Sequence, residues 1–301
     1  MLKTCLEILL WLGIFIVVYA YVGYGILLFL LIKIKRIFGG GEKPSLATAS
    51  PPEVTFIVCA FNEADWMREK IENCLAFDYP TDKITFFFVT DGSSDATPDV
   101  VRNFPFPQNV RWKLLHEPER RGKIAAFDRS MAFVQTPIVI STDANTVVNQ
   151  QAIKMMVRHF EDPQTGAVAG EKRISLNEKD AASGAGEGIY WKYESKLKKW
   201  DAELWSVVGA AGELFAIRTA LYEPVPKDTI IEDFYLTLRI AQRGFRVMYE
   251  PGAAASESPA CAASAKPFSG ARATMSGSTC RSALMRRWAG PRSRCRRSKA
   301  R

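Results

Sequence analysis

An α/β fold with a mostly parallel sheet covered by helices, preceded by one transmembrane helix, is what three features of this 301-residue chain predict. From Val54 onward, apolar runs of strand length alternate with segments of helical composition, the order that builds βαβ units. Several of those runs end in polar or acidic residues, and in open α/β sheets ligands bind outside the carboxyl ends of the strands. Ile8 to Ile32 forms 25 consecutive positions without a charge, which at about 1.5 Å per residue spans a ~30 Å hydrocarbon core with some tilt.

The elements follow in order. A signal peptide would have a shorter apolar region and a small-residue cleavage site, whereas here Lys33, Lys35 and Arg36 follow. By the positive-inside rule they hold the C-terminal side in the cytoplasm, with Lys3 as a weaker opposing charge. The expected location is therefore the cell membrane, with residues 1–36 as helix and basic flank. Residues 37–52 contain Gly39-Gly40-Gly41, Pro, Ser and Thr and read as a linker.

Val54 to Ala60 is the first strand and ends in Phe61-Asn62-Glu63; Ala64 to Phe77 has helical composition. Ile84 to Thr90 is a second, strongly aromatic strand ending in Asp91-Gly92-Ser93-Ser94-Asp95, with a helix through Asn103 after it. Val110 to Leu115 is a third strand, Gly122 to Val134 a third helix, and Pro137 to Thr142 a fourth strand ending at Asp143. Three polar strand ends converging on one crevice predict a nucleotide pocket.

Charge argues against nucleic acid as a partner. Of the 40 basic and 32 acidic residues, eleven basic and one acidic lie in Ala253–Arg301, which leaves 29 and 31 in the first 252. The basic balance thus belongs to the tail. Cys5, Cys59, Cys74, Cys261, Cys280 and Cys295 show neither paired ligand spacing nor a dense framework, so a zinc site or disulfide scaffold is not expected.

Each motif has an ordinary reading beside the chemical one. Asp91 to Asp95 has the composition of a turn and helix cap. Arg120-Arg121-Gly122-Lys123 is either a solvated charge run or an anion site at a helix start. Asp143 is a common kind of turn residue, and Glu232-Asp233 before an apolar run is a common kind of helix start, with Asp233 as N-cap to a helix Phe234 to Arg243. No Gly-x-Gly-x-x-Gly follows the first strand and no Gly-Lys-Ser/Thr loop occurs, which disfavours dinucleotide dehydrogenases and P-loop enzymes. An acid at one strand end suits a metal-bound diphosphate, because a divalent cation takes hard oxygen ligands.

The five segments Val-Thr-Phe-Ile-Val-Cys-Ala-Phe-Asn-Glu, Val-Thr-Asp-Gly-Ser-Ser-Asp, Arg-Gly-Lys-Ile-Ala-Ala, Ser-Thr-Asp-Ala-Asn-Thr and Ile-Ile-Glu-Asp-Phe, in this order between Val54 and Gly252, resemble the family 2 glycosyltransferases of GT-A fold, a Rossmann-like mixed sheet flanked by helices. The likeness is closer to the membrane-bound branch that includes cellulose and hyaluronan synthases. It implies a catalytic domain over 53–252, with a nucleotide-binding half 53–146 and an acceptor half 147–252.

The resemblance also implies roles. Asn62 and Glu63 border the nucleotide, Asp91 hydrogen-bonds the base or ribose, and Lys123 approaches the diphosphate. Asp143 and Asn145 match the Asp-x-Asp signature that holds Mg2+ or Mn2+, with Asn a departure that keeps a carbonyl ligand but brings no charge. Asp233 is the general base. The implied partners are a UDP- or GDP-sugar and a glycan or lipid-linked acceptor, and the implied chemistry is inverting transfer. Two further readings stay open, a sugar-nucleotide-binding membrane protein without efficient catalysis and a nucleotidyltransferase.

Trp191, Tyr193, Trp200 and Trp205 crowd the acceptor half; aromatic faces suit sugars, and equally helix packing or a membrane surface. Gly209 to Arg218 resembles the family's small-residue loop before a strand, and Gly184 to Gly188 reads as a mobile loop over the site. After Gly252 the chain turns Ala-, Ser- and Arg-rich with no strand or helix period, and Leu284 stands where processive relatives carry Gln before Arg287-Trp288. The expectation for 253–301 is a low-complexity, disordered basic tail, whose abrupt onset suggests a frameshift or truncation; a native segment drawn to anionic lipid is the alternative.

Overall fold

A computed structural model of the chain describes residues 2–38, 50–173, 181–210, 212–226, 229 and 231–257. Most of the expected linker, and the tail beyond 257, lie outside the described residues. The fold is a mixed eight-stranded sheet flanked by helices. Its strands are β1 (Val54–Ala60), β2 (Ile84–Asp91), β3 (Arg111–Glu117), β4 (Ile138–Asp143), β5 (Thr146–Val148), β6 (Thr165–Arg173), β7 (Leu214–Arg218) and β8 (Arg246–Glu257). They lie side by side in the order β3-β2-β1-β4-β7-β6-β8-β5. The first four are parallel, β7 runs antiparallel to both β4 and β6, and β8 is parallel to β6.

All seven residues of β1 are buried, because a central parallel strand has helices on both faces and alternation gives way to a continuous apolar run. The aromatic strand β2 divides its side chains by pleat. Phe86 and Phe88 join Phe56 in one core with Met67 and Ile71 of α3 (Ala64–Leu75). Phe87 and Val89 join Ile57 in the other, with Phe127 of α5 (Lys123–Met131) and with Leu236 and Ile240 of α8 (Glu232–Gln242). The remaining short helices, α4 (Thr97–Arg102) and α6 (Ala152–Val157), close the first face.

The N-terminal apolar stretch is a single helical rod, Leu2–Phe38, 37 residues long and apolar enough to cross a membrane. It consists of α1 (Leu2–Val18), one π-helical turn at Tyr19–Gly23, and α2 (Tyr24–Phe38). None of the α1 residues is buried, whereas α2 buries Gly25, Leu28 and Ile32. The cover is α7 (Ala181–Leu204): Tyr193 donates to the Tyr21 carbonyl at 2.8 Å, Trp200 packs on Phe29 at 5.6 Å between ring centroids, and Arg36 grips Glu203.

Three expectations change. Gly184 to Gly188 belongs to α7 rather than to a loop; Ala181, Ala182 and Ala185 are strong helix formers, and a helix nucleated by docking extends at little cost. Asp233 is not an N-cap, since α8 begins at Glu232 with Ile231 before it. Both acids then sit in the first turn, where the helix dipole favours them. The change of composition at Gly252 is not a change of structure, because β8 continues to Glu257 and pairs Ala254–Ser256 with β6 and Ala255–Glu257 with β5.

Candidate active site

Strand register brings the polar ends together. Cys59 of β1 pairs with Asp143 of β4, Ala60 with Thr90 of β2, and Asp91 with Glu117 of β3. The chain leaves β1 toward β2 on one side and returns at β4 on the other, so the crevice opens between β1 and β4 at the topological switch. Asn62, with φ of 54°, turns the chain there, and its Oδ1 accepts the Ser94 amide at 2.8 Å. Glu63 follows, and its amide donates to Thr97 Oγ1 at 2.8 Å. Its carboxyl is raised above the usual range first by burial and then by the negative charges of Asp143 and Asp95.

Asp91 is buried and both its oxygens are engaged. Oδ2 accepts the amides of Arg121 and Gly122, each at 2.7 Å, and Oδ1 faces Arg129 at 3.3 Å. The loop it grips passes directly over Gly92: a Cβ there would lie 2.5 Å from the Arg120 Cα. Glycine is required twice over, because Gly92 also has φ of +67°. Gly122, at φ +94°, then delivers the chain into α5, whose first residue is Lys123. Asp91 thus fixes the point from which Lys123 reaches the crevice.

The Lys123 ammonium lies 2.8 Å from Asp143 Oδ1 and 2.9 Å from Glu232 Oε1. Burial works against its charge, but the two carboxylates outweigh burial and raise its pKa. Asp233 stands beside this group. Its Oδ1 accepts the Phe234 amide at 2.8 Å, and its Oδ2 lies 3.1 Å from where a Cβ of Gly212 would be, with Lys123 Nζ 3.3 Å from the same point. Burial raises the Asp233 carboxyl above the ordinary carboxylate range; the Phe234 amide works in the opposite direction without overcoming it.

A cleft of about 420 Å3 opens from this cluster, with Lys123, Asp143, Glu232 and Asp233 in its lining. Its opposite wall is α7, which contributes Trp191, Glu194, Ser195 and Lys198 at helical spacing. Of the four clustered aromatics only Trp191 faces the cleft; Tyr193 and Trp200 pack on α2, and Trp205 is exposed beneath Arg246. The floor is polar: Ser195 donates to Glu171 Oε2 at 2.8 Å, Tyr249 donates to the same oxygen, and Lys172 pairs with Glu213.

Sequence reasoning brought Asp143, Lys123 and Asp233 to one crevice without assigning Glu232 a place in it. The signal was present in its neighbour, since two acids in one helical turn both point toward the helix start. The wall from β6, α7 and β8 carried no motif, because its residues come from segments up to about 80 positions apart. Among the described residues no hydrogen bond or ion pair of the Asn145 side chain marks it out; it sits half-buried in the turn after Asp143.

The oxygen ligands at this turn fit a divalent cation. Asp143 offers a carboxylate and Asn145 an amide oxygen within one turn, and among the described residues no three His, Cys, Asp or Glu side chains form a metal cage. Mg2+ and similar hard ions bind in this manner, through one or two protein oxygens completed by phosphate and water.

Known proteins are similar to this chain in sequence and in structure. The poly-β-1,6-N-acetyl-D-glucosamine synthase of Staphylococcus aureus strain MSSA476 is 28% identical over 215 residues, covering 70% of this chain and 51% of that protein. Its Staphylococcus epidermidis counterpart is 26% identical over 205 residues, covering 66% and 48%. The chain therefore spans about half the length of these relatives. Among solved structures, the mannosyltransferase PcManGT from Pyrobaculum calidifontis, in complex with GDP-Man and Mn2+, superposes with a TM-score of 0.64 at 27% identity, covering 79% of this chain and 66% of that one. Staphylococcus aureus TarS 1-349 shares the fold, with a TM-score of 0.53 at 13% identity and coverage of 68% and 60%. The model of the family described as glycosyl transferase family 2 matches residues 55–225, more than half of the chain, and the protein belongs to that family.

Proposed function

We propose that the chain is a membrane-anchored, inverting glycosyltransferase that moves a sugar from a UDP- or GDP-sugar to a glycan or lipid-linked acceptor in polysaccharide or glycolipid synthesis. The observation that carries this reading is the Lys123 ammonium held between Asp143 and Glu232, with Asp233 beside it in the lining of one cleft. A leaving diphosphate needs positive charge aimed at it, and charge placed against a developing anion is usually the largest catalytic contribution. Lys123 supplies that charge on the donor side. Asp233, with its carboxyl raised by burial, takes the proton of the acceptor hydroxyl. The acceptor oxygen then attacks the anomeric carbon as the bond to the diphosphate breaks, in one displacement with inversion.

Asp143 and Asn145 are the residues that would hold Mg2+ or Mn2+, whose contribution when bound is neutralisation of the diphosphate. Asn62 and Glu63 border the nucleotide; Asp91, expected to hydrogen-bond the base or ribose, has both oxygens taken by Arg121, Gly122 and Arg129 and serves donor binding through the loop it holds. Trp191 offers an apolar face to the acceptor sugar. The rod Leu2–Phe38 supports anchoring in a membrane, and the Lys33, Lys35 and Arg36 charges at its C-terminal end support a cytoplasmic catalytic domain. The polymer synthases and the GDP-Man and Mn2+ complex among the similar proteins support the substrate class.

The test is nucleoside diphosphate release from a panel of UDP- and GDP-sugars by detergent-solubilised protein, with Mg2+, Mn2+ or chelator, beside Asp233→Asn. Metal-dependent release lost in the variant is expected. Pyrophosphate release from nucleoside triphosphates would instead mark a nucleotidyltransferase, and donor binding without release a non-catalytic binder.

A further inference from the structure

Lys70, on α3, is among the largest fully buried side chains of the molecule, at 1% exposure. Among the described residues no carboxylate lies within ion-pairing distance of it. Its ammonium donates to the Thr146 carbonyl at 2.8 Å, to Thr142 Oγ1 at 3.3 Å and to Thr146 Oγ1 at 3.4 Å, and it lies 6.0 Å from the Phe56 ring centroid. Burial pushes its pKa down to about 8, partly offset by Cys74 and Asp143. An ammonium held only by neutral oxygens recovers its lost hydration incompletely, and an apolar chain of equal length would fill the space without that cost. Stability therefore does not account for this lysine.

Its partners do. Thr142 and Thr146 are the residues immediately flanking Asp143-Ala144-Asn145. Their hydroxyl oxygens lie 3.0 Å apart; Thr146 Oγ1 donates its proton to the Asp143 carbonyl at 2.9 Å, and Thr142 Oγ1 donates its own to the Glu213 carbonyl at 2.7 Å. Lys70 closes this network from beneath, pinning both ends of the turn at once and placing a fixed positive charge under it. We propose that Lys70 is a positioning residue for donor binding: it holds the Asp143–Asn145 turn in the geometry that receives the metal–diphosphate complex. The inference rests on the donor-site reading above.

The experiment is titration of the detergent-solubilised full chain with Mn2+ plus UDP and with Mn2+ plus GDP, read by the free Mn2+ resonance signal, for the unaltered protein, Lys70→Met and Lys70→Gln. Thermal unfolding and separate donor and acceptor KM values accompany it. Outer hydrogen bonds of this kind typically govern metal affinity by about 10- to 100-fold. Lys70→Met is expected to unfold no lower than the unaltered chain yet bind the complex at least about tenfold more weakly, with donor KM raised and acceptor KM unchanged. Lys70→Gln, which keeps donors but no charge, is expected to recover part of the loss. Unchanged binding in a folded Lys70→Met overturns the inference alone, as does failure of both variants to fold. Absence of binding by the unaltered chain overturns the donor-site reading and this inference with it.

Discussion

Asp91 Oδ2 accepts the backbone amide of Gly122 at 2.7 Å, one residue before Lys123 begins its helix. The same oxygen takes the Arg121 amide, so a single buried carboxylate secures the loop that aims the only lysine touching both Asp143 and Glu232 among the described residues. Asp91→Asn keeps the volume but can set an amide N–H₂ against two N–H donors. We expect a loss of about 1–3 kcal/mol in stability, the cost of leaving buried donors unpaired, and a raised donor KM with acceptor KM unchanged. Steady-state kinetics beside chemical denaturation check this; a donor KM equal to that of the unaltered chain refutes the role.

The raised Asp233 carboxyl gives two pH dependences. As the proposed proton acceptor Asp233 must be ionised, so transfer should fall as pH drops through its value, which lies above the ordinary 3.8. For stability the sign is opposite. The folded state holds the proton more tightly than the unfolded one, so this group's contribution is present below about 3.8 and is lost as pH rises through the folded value. Asp233→Asn should then be at least as stable as the parent at neutral pH, lose that relative advantage in acid, and transfer no sugar. Unfolding midpoints measured from pH 3 to 8, with a pH–rate profile of the parent, separate these outcomes.

The convergence of Asn62, Asp91, Lys123 and Asp143 on one crevice was legible because each of them follows a strand in a local motif. Asp143 ends β4, Asn62 follows β1, and Lys123 opens a helix after a glycine, so strand order alone brings them together. The acceptor side was not legible from the same reasoning. Tyr193 and Trp200 have the composition of a sugar platform, yet they face α2, because α7 has two contact faces and periodicity does not say which one meets the cleft. The depth of the apolar rod was also hidden. Hydropathy treats Ile8 to Ile32 as uniform, while packing separates a bare α1 from an α2 whose Gly25, Leu28 and Ile32 are covered by α7.

That packing makes the rod part of the catalytic domain's architecture. A Cβ on Gly25 would come within 2.6 Å of the Tyr193 hydroxyl and 3.4 Å of Leu197, and Tyr193 is held by the Tyr21 carbonyl. Gly25→Leu must push α7 away from α2, and the displaced helix carries Trp191, Ser195 and Lys198 on its cleft face. Overpacking of this kind costs about 1–3 kcal/mol. The expected kinetic signature is a raised acceptor KM with donor affinity retained, the reverse of Asp91→Asn. Equal effects on donor and acceptor would show that α7 does not act on the acceptor side separately.

Gly212 offers the finest test of the reacting geometry. A methyl there would lie 3.1 Å from Asp233 Oδ2 and 3.3 Å from Lys123 Nζ, closer than ordinary contact for either. The three atoms nearest to that methyl all belong to these two side chains, so it is they that must yield. Each would move by a few tenths of an ångström, and misplacement by about 1 Å costs a reaction roughly a hundredfold. Gly212→Ala should therefore leave the unfolding midpoint unchanged and lower kcat by about tenfold, because Asp233, the proposed base, and Lys123, the proposed leaving-group cation, are both shifted. Serine, similar in size but able to hydrogen-bond Asp233, should recover part of the rate. Full activity in the alanine variant would mean that Asp233 and Lys123 do not work from the positions they hold over Gly212.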